Sequence, residues 1–247
     1  VSSNPQQSTS SLPTVLLVHG AFAESASWNN VVTDLRRRGY PVIAIANPLR
    51  GLKPDAAYVR AVVDSVGGPA VIVGHSYGGA VMAEAVEGAA NVKALVYVAS
   101  FTLDVGESCG DLAAKFPGSE LSSALQPVPF PLPDGSMGTD LYIQQDKFHA
   151  VFAADVAADV AEQMAATQRP VADNALTDTA TAALWKTIPS WAVISTQDLA
   201  IPPESMRFMA QRAGSTAIEV EASHAVAVSQ PGPVAELIDT AARATAG

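Results

Sequence analysis

Gly74-His75-Ser76-Tyr77-Gly78 follows the apolar run AVIV and precedes the helical pattern AVMAEAVE. A chain that leaves a buried strand and enters a helix within two residues needs a sharp, strained turn, and this G-x-S-x-G spacing supplies it through its flanking glycines. The turn presents Ser76 at a helix N-terminus, where free N–H groups and the macrodipole favour a developing anion. A serine held in that way points to nucleophilic chemistry.

The surrounding chain has the periodicity that such a turn requires. Residues 14–19 (TVLLVH) are a continuous β-branched and leucine-rich run, and similar runs recur at 41–45, 70–73, 92–98, 191–195 and 217–220. Uninterrupted apolar runs read as strands buried on both faces. Helical patterns separate the early ones, over 27–38 with Trp28, Val31, Val32 and Leu35 on one face and Gly39 as its stop, then over 55–66 and 77–87. Such alternation predicts an α/β fold, a six-stranded mostly parallel sheet flanked by helices. It resumes late in the chain with a helix opened by Pro202 and Pro203 and closed by Gly214, and a last helix over 234–243.

Between 101 and 186 the alternation breaks, over a span far longer than a connecting loop. Asp134-Gly135, between PVPFPLP and SMGTDLYI, predicts a hairpin whose prolines confine that strand to an edge. Val156, Val160 and Met164 recur four apart and predict one face of a helix. The expected organisation is a polar tail over 1–13, an α/β core over 14–100 and 187–247, and an inserted lid or cap over 101–186.

Composition narrows the partners. The 247 residues are 49% hydrophobic and 15% charged, enough for one sizeable core. A net charge of -10 without any basic run argues against nucleic acid and anionic membrane surfaces. No apolar run reaches the ~18 residues of a transmembrane helix, so a soluble chain is expected. The opening VSSNPQQSTSS leaves a cytoplasmic chain and an exported one with its signal removed as alternatives. Cys109, the single cysteine, excludes an internal disulfide, and four scattered histidines argue against a structural zinc site.

A serine hydroxyl is a weak nucleophile and needs a base that a third group orients, in the chain order serine, acid, histidine. Only His149 and His224 follow Ser76. His224 lies across a short turn from the last strand and is the expected base, whereas His149 falls in the inserted segment and is expected to have no chemical duty. Asp198, on a short loop after WAVIS that is expected to be exposed, is the expected acid, with Asp104, just beyond LVYVAS, as its rival. Asp173 and Asp178 read as solvated charges, and His19 and His75 as turn-forming. The oxyanion of a tetrahedral intermediate needs two N–H donors. Tyr77 should supply one and Ala21 the other, with Phe22 the second choice as donor and the better choice as a pocket wall. Phe22, Trp28, Tyr77 and Trp185 are the candidate pocket residues, and Trp191 is a further aromatic that could line it.

Together, VLLVHGAF, GHSYGG, STQDLAIPP and ASHAVAVSQP resemble the α/β-hydrolase superfamily. More narrowly they resemble the bacterial relatives of the plant branch that holds methyl-salicylate-type esterases and hydroxynitrile lyases. The resemblance extends from Leu12 to the C-terminal helix. It implies a helical lid with short strands, no metal or organic cofactor, and a small-molecule ester or lactone as substrate. The same scaffold also hosts lyases, cofactor-free haloperoxidases and non-hydrolytic receptors. In the lyases, a threonine stands at the position of Gly20 and a lysine at that of Ala225. The haloperoxidase-like members commonly carry tryptophan at the position of Ala21.

Overall fold

The computed structural model describes residues 11–247, so the first ten residues of the expected polar tail lie outside the described residues. β1 (Thr14–Val18) is followed by a 3-10 turn over Ser25–Trp28 and then α1 (Asn29–Arg37). The helix expected from 27 therefore begins as a tighter turn, pinned where Ser27 Oγ donates to the Glu24 carbonyl at 2.7 Å. Gly39, at φ +91°, stops α1. β2 (Val42–Ile45) leads into α2 (Leu52–Ser65), which starts before its expected bound because Pro54 falls in the first turn, where a missing N–H breaks no helical bond. β3 (Ala70–Ser76), α3 (Tyr77–Ala85) and β4 (Val92–Ser100) complete the first half.

Eight short elements follow: α4 (Cys109–Ala114), α5 (Leu121–Ala124), β5 (Leu125–Pro131), β6 (Met137–Ile143), α6 (Gln145–Phe152), α7 (Ala158–Thr167), β7 (Val171–Ala172) and α8 (Asp173–Thr177). The hairpin expected at Asp134-Gly135 joins β5 to β6, with Gly135 at φ +86°. Both strands belong to an antiparallel sheet ordered β5-β6-β7. β5 is an edge strand, with Pro127, Pro129 and Pro131 at alternate positions. In α7 the buried residues are Ala161 and Ala165, whereas Val160 is 38% exposed. Of the expected stripe, Val156 is buried just before α7 and Met164 packs against the core, so only Val160 turns outward, and the small alanines let α7 lie against α6.

The chain then returns to the main sheet as β8 (Ser190–Ser195), α9 (Pro203–Ala213), β9 (Thr216–Val220), α10 (Val226–Ser229) and α11 (Pro231–Ala244). Gly214 closes α9 in the left-handed conformation. The sheet runs β2-β1-β3-β4-β8-β9, and every pairing in it is parallel. β3 and β4 occupy its centre; β3 is buried at all seven positions, as an apolar strand covered on both faces must be. No helix among the described residues is long and apolar enough to cross a membrane.

Candidate active site

Ser76 ends β3 at φ +53° and ψ −128°, outside the regions that a side-chain-bearing residue ordinarily occupies. The surroundings hold it there. Ser100 Oγ donates to the Ser76 carbonyl at 2.6 Å. A Cβ at Gly78 would lie 2.3 Å from the Val18 carbonyl oxygen, so only glycine lets the first turn of α3 rest on the end of β1. Ser76 faces a cavity of about 350 Å³.

Asp198 and His224 meet at the same end of the sheet. His224 Nδ1–H donates to Asp198 Oδ2 at 2.6 Å, and the other carboxylate oxygen accepts the N–H groups of Ala200 and Ile201, each at 2.8 Å. Three donors and 2% exposure make Asp198 a fixed, buried acceptor, which corrects the expectation of an exposed loop. The turn into α9 folds its backbone N–H groups over the carboxylate and so closes it off. With its proton held on Nδ1, His224 has a free lone pair on Nε2. Among the described residues neither Nε2 nor Ser76 Oγ is engaged in a hydrogen bond, and such contacts commonly tighten only with substrate in place. Asp104 takes no part: it pairs with Lys186 Nζ at 2.5 Å.

Gly20 brings the loop after β1 against the elbow. A Cβ there would lie 2.7 Å from the His75 carbonyl oxygen, 2.8 Å from Ser76 Cβ and 3.3 Å from Tyr77 N. Ala21 and Tyr77 thereby face the cavity beside Ser76. Tyr77 is the first residue of α3, so its N–H has no intrahelical acceptor. Phe22 differs. Its backbone is left-handed at φ +61°, and its N–H donates to the Arg169 carbonyl at 3.1 Å. That N–H is spent on the inserted segment, so Phe22 is corrected as an oxyanion donor and stands only as a cavity wall.

The rest of the wall is apolar or small, with Phe101, Cys109, Ala113, Leu121 and Ile201 among its members and no charged side chain. Tyr77 contributes to it while its hydroxyl donates to Asp55 Oδ2 at 2.6 Å. Burial pushes the Asp55 pKa up, although the N–H groups of Arg50 and Gly51 also bind that carboxylate. Two aromatic candidates lie elsewhere. Trp28 is wholly buried, edge-on to the His75 ring with centroids 6.3 Å apart, and forms core beneath the elbow. Trp185 Nε1–H donates to the Leu103 carbonyl at 2.8 Å, and its ring lies near the Arg212 guanidinium. Trp191 is buried within β8.

The remaining candidates have structural partners. His19 Nδ1–H donates to the Gly20 carbonyl at 2.9 Å and Nε2 accepts the Asn47 N–H at 2.9 Å, so it braces the loop that carries Ala21. His149 Nε2–H donates to the Val156 carbonyl at 2.8 Å. Asp178 is more than a solvated charge, since it accepts the Leu52 N–H at 2.9 Å at the start of α2. His75 does more than form the turn: its ring packs against that of His224 and bonds its backbone. Its place inside the pentapeptide was the available signal, but nothing in the sequence gave the ring's direction.

A model of the alpha/beta hydrolase family matches residues 15–237. The alpha/beta hydrolase nvfD of Aspergillus novofumigatus is 26% identical over 253 residues, covering 93% of this chain and 96% of that protein. Among solved structures, polyneuridine aldehyde esterase superposes with a TM-score of 0.80 at 17% identity, covering 93% of this chain and 98% of that one. A methylesterase from Arabidopsis superposes with a TM-score of 0.78 at 13% identity, covering 94% and 99%. At these identities the superpositions establish the shared fold.

Proposed function

We propose that this chain, which belongs to the alpha/beta hydrolase family, hydrolyses carboxylic esters, lactones included, through an acyl-enzyme on Ser76. The observation that carries the reading is the buried Asp198–His224 pair, 2.6 Å apart, at the end of the sheet where Ser76 is held in its strained turn. In this mechanism Ser76 Oγ attacks the carbonyl carbon while His224 Nε2 takes its proton. Asp198 holds the imidazole in the required tautomer and stabilises the imidazolium. The negative oxygen of the tetrahedral intermediate is received by the N–H groups of Ala21 and Tyr77. Collapse expels the alcohol, which leaves with the proton from Nε2. Water then attacks the acyl carbon with the same base, releasing the acid and restoring the serine.

Cyanohydrin cleavage fits these residues less well. Ala225 offers no cation to a departing cyanide, and such an anion is strongly disfavoured in an apolar pocket. Gly20 offers no hydroxyl, and any side chain there would meet the His75 carbonyl at 2.7 Å. The apolar cavity wall, much of it from the inserted segment acting as a lid, suits an uncharged ester.

The experiment gives purified protein, with Ser76→Ala as control, a panel of aryl acetates and lactones and, separately, mandelonitrile. Ester or lactone turnover abolished by Ser76→Ala supports the reading. Rapid benzaldehyde release with little ester cleavage would replace it with a lyase, and binding without turnover would make the protein a receptor.

A further inference from the structure

His224 is held by more than its carboxylate. The residues on either side of it are tied to the inserted segment at the end of α6. Ser223 Oγ–H donates to Asp155 Oδ1, and the Ala225 N–H donates to the Phe152 carbonyl at 3.0 Å. Ser223 Oγ in turn accepts the Ala225 N–H at 3.3 Å, so one hydroxyl links both flanks of the histidine. The Phe152 ring stands edge-on to His224 with centroids 4.9 Å apart, and reaches Phe22 of the oxyanion loop at 6.5 Å.

The core holds the ring of His224 through Asp198 and its backbone carbonyl through His75. The bonds to Ser223 and Ala225 fix it from the other side. We propose that Asp155 and Ser223 form a latch by which the inserted segment positions the base, with Asp155 a positioning residue for His224. The inference rests on the reading of His224 as base and adds that the base is aligned only while the α6–α7 turn is docked. A nucleophile and base misaligned by an ångström lose about a hundredfold in rate without losing substrate affinity, because the cavity wall is built from other residues.

The test measures kcat and KM on an aryl acetate, and the rate of fluorophosphonate labelling of Ser76, on the folded fraction of the full chain. The variants are Asp155→Ala, Asp155→Asn, Ser223→Ala and the double Asp155→Ala/Ser223→Ala. Asp155→Ala and Ser223→Ala are expected each to lower kcat and labelling about ten- to a hundredfold with KM within about twofold. The double variant should be no slower than the worse single, since Ser223→Ala already removes the one bond that Asp155→Ala removes. Asp155→Asn, whose amide oxygen can still accept the Ser223 proton, should stay within about threefold of wild type. Wild-type rates in Asp155→Ala, losses that multiply in the double variant, or Asp155→Asn no faster than Asp155→Ala would overturn the latch. Those outcomes are read against an active wild type. A wild type that neither labels nor turns over removes the ester-hydrolase reading itself, and the latch with it.

Discussion

His75 Nε2–H donates to the backbone carbonyl of His224 at 2.8 Å, and the two rings lie 4.7 Å apart. A carbonyl only accepts, so the bond requires a proton on His75 Nε2. Burial, and then the neighbouring His224, push the His75 pKa down to about 3. In the proposed mechanism, the imidazolium formed when His224 takes the serine proton therefore has an uncharged neighbour.

Acid sensitivity follows from this burial. His75 and His19 both have pKa values lowered by burial from the ordinary 6.5, so below that pH the unfolded chain binds protons that the folded chain refuses. Their contribution to stability is complete above pH 6.5 and is lost progressively as pH falls below it, the window for His75 reaching down to about 3. Thermal melts between about pH 7.5 and 4.5 should show Tm falling with acid, and falling less steeply in His75→Gln. Equal slopes in the two proteins would contradict the buried neutral state.

Exchange of Asp198 for Asn should cost about a thousandfold to ten-thousandfold in kcat, because an amide cannot hold the Nδ1–H tautomer in the same way. Asp104→Asn removes only a half-exposed pair with Lys186 and should stay within about threefold. Steady-state kinetics on one aryl ester ranks the two, and a larger loss at Asp104 would reverse the assignment of the acid.

Gly20→Ala forces a Cβ to within 2.7 Å of the His75 carbonyl oxygen and 2.8 Å of Ser76 Cβ, both parts of the rigid elbow. The loop must retreat and carry the Ala21 N–H away from the proposed oxyanion position. The expected loss is about a hundredfold in kcat with about 1–3 kcal/mol of stability. Full activity with unchanged Tm would show that the loop carries no donor.

Cys109 lines the cavity yet is only 2% exposed, and burial pushes its thiol pKa up, far from the thiolate form. Iodoacetamide at about pH 8 should leave it unmodified in the folded protein and alkylate it fully in denaturant, as read by mass spectrometry. Prompt alkylation of the native chain would mean that the thiol is open to solvent.

The central fold was legible because two-sided burial writes itself into sequence as unbroken apolar runs: AVIV, LVYVAS and WAVIS each reappear as strands of the main sheet. The elbow was legible for a related reason, since close backbone approach demands glycine. Directions of side chains and backbone groups were not. Nothing in HGAF shows that Phe22 turns left-handed and gives its N–H to Arg169, or that Trp28 points beneath the elbow. Asp198 reads as exposed because the helix that begins after Ile201 leaves it on a short loop, but the N–H groups that bury it belong to backbone, which has no sequence signature. Asp155 was missed because its partner, Ser223, is 68 residues away.

The alternating prolines of β5 determine what that strand can do toward other molecules. Proline has no N–H to give, so Pro127, Pro129 and Pro131 cannot be the residues that bond to β6, and the outer margin of β5 lacks donors at three successive outward positions. An incoming extended segment would find carbonyls there and no complementary amides, and could not register as a fourth strand. The hairpin can thus remain apolar, with Val128 and Met137 exposed, without seeding the strand-by-strand growth that open sheet margins invite.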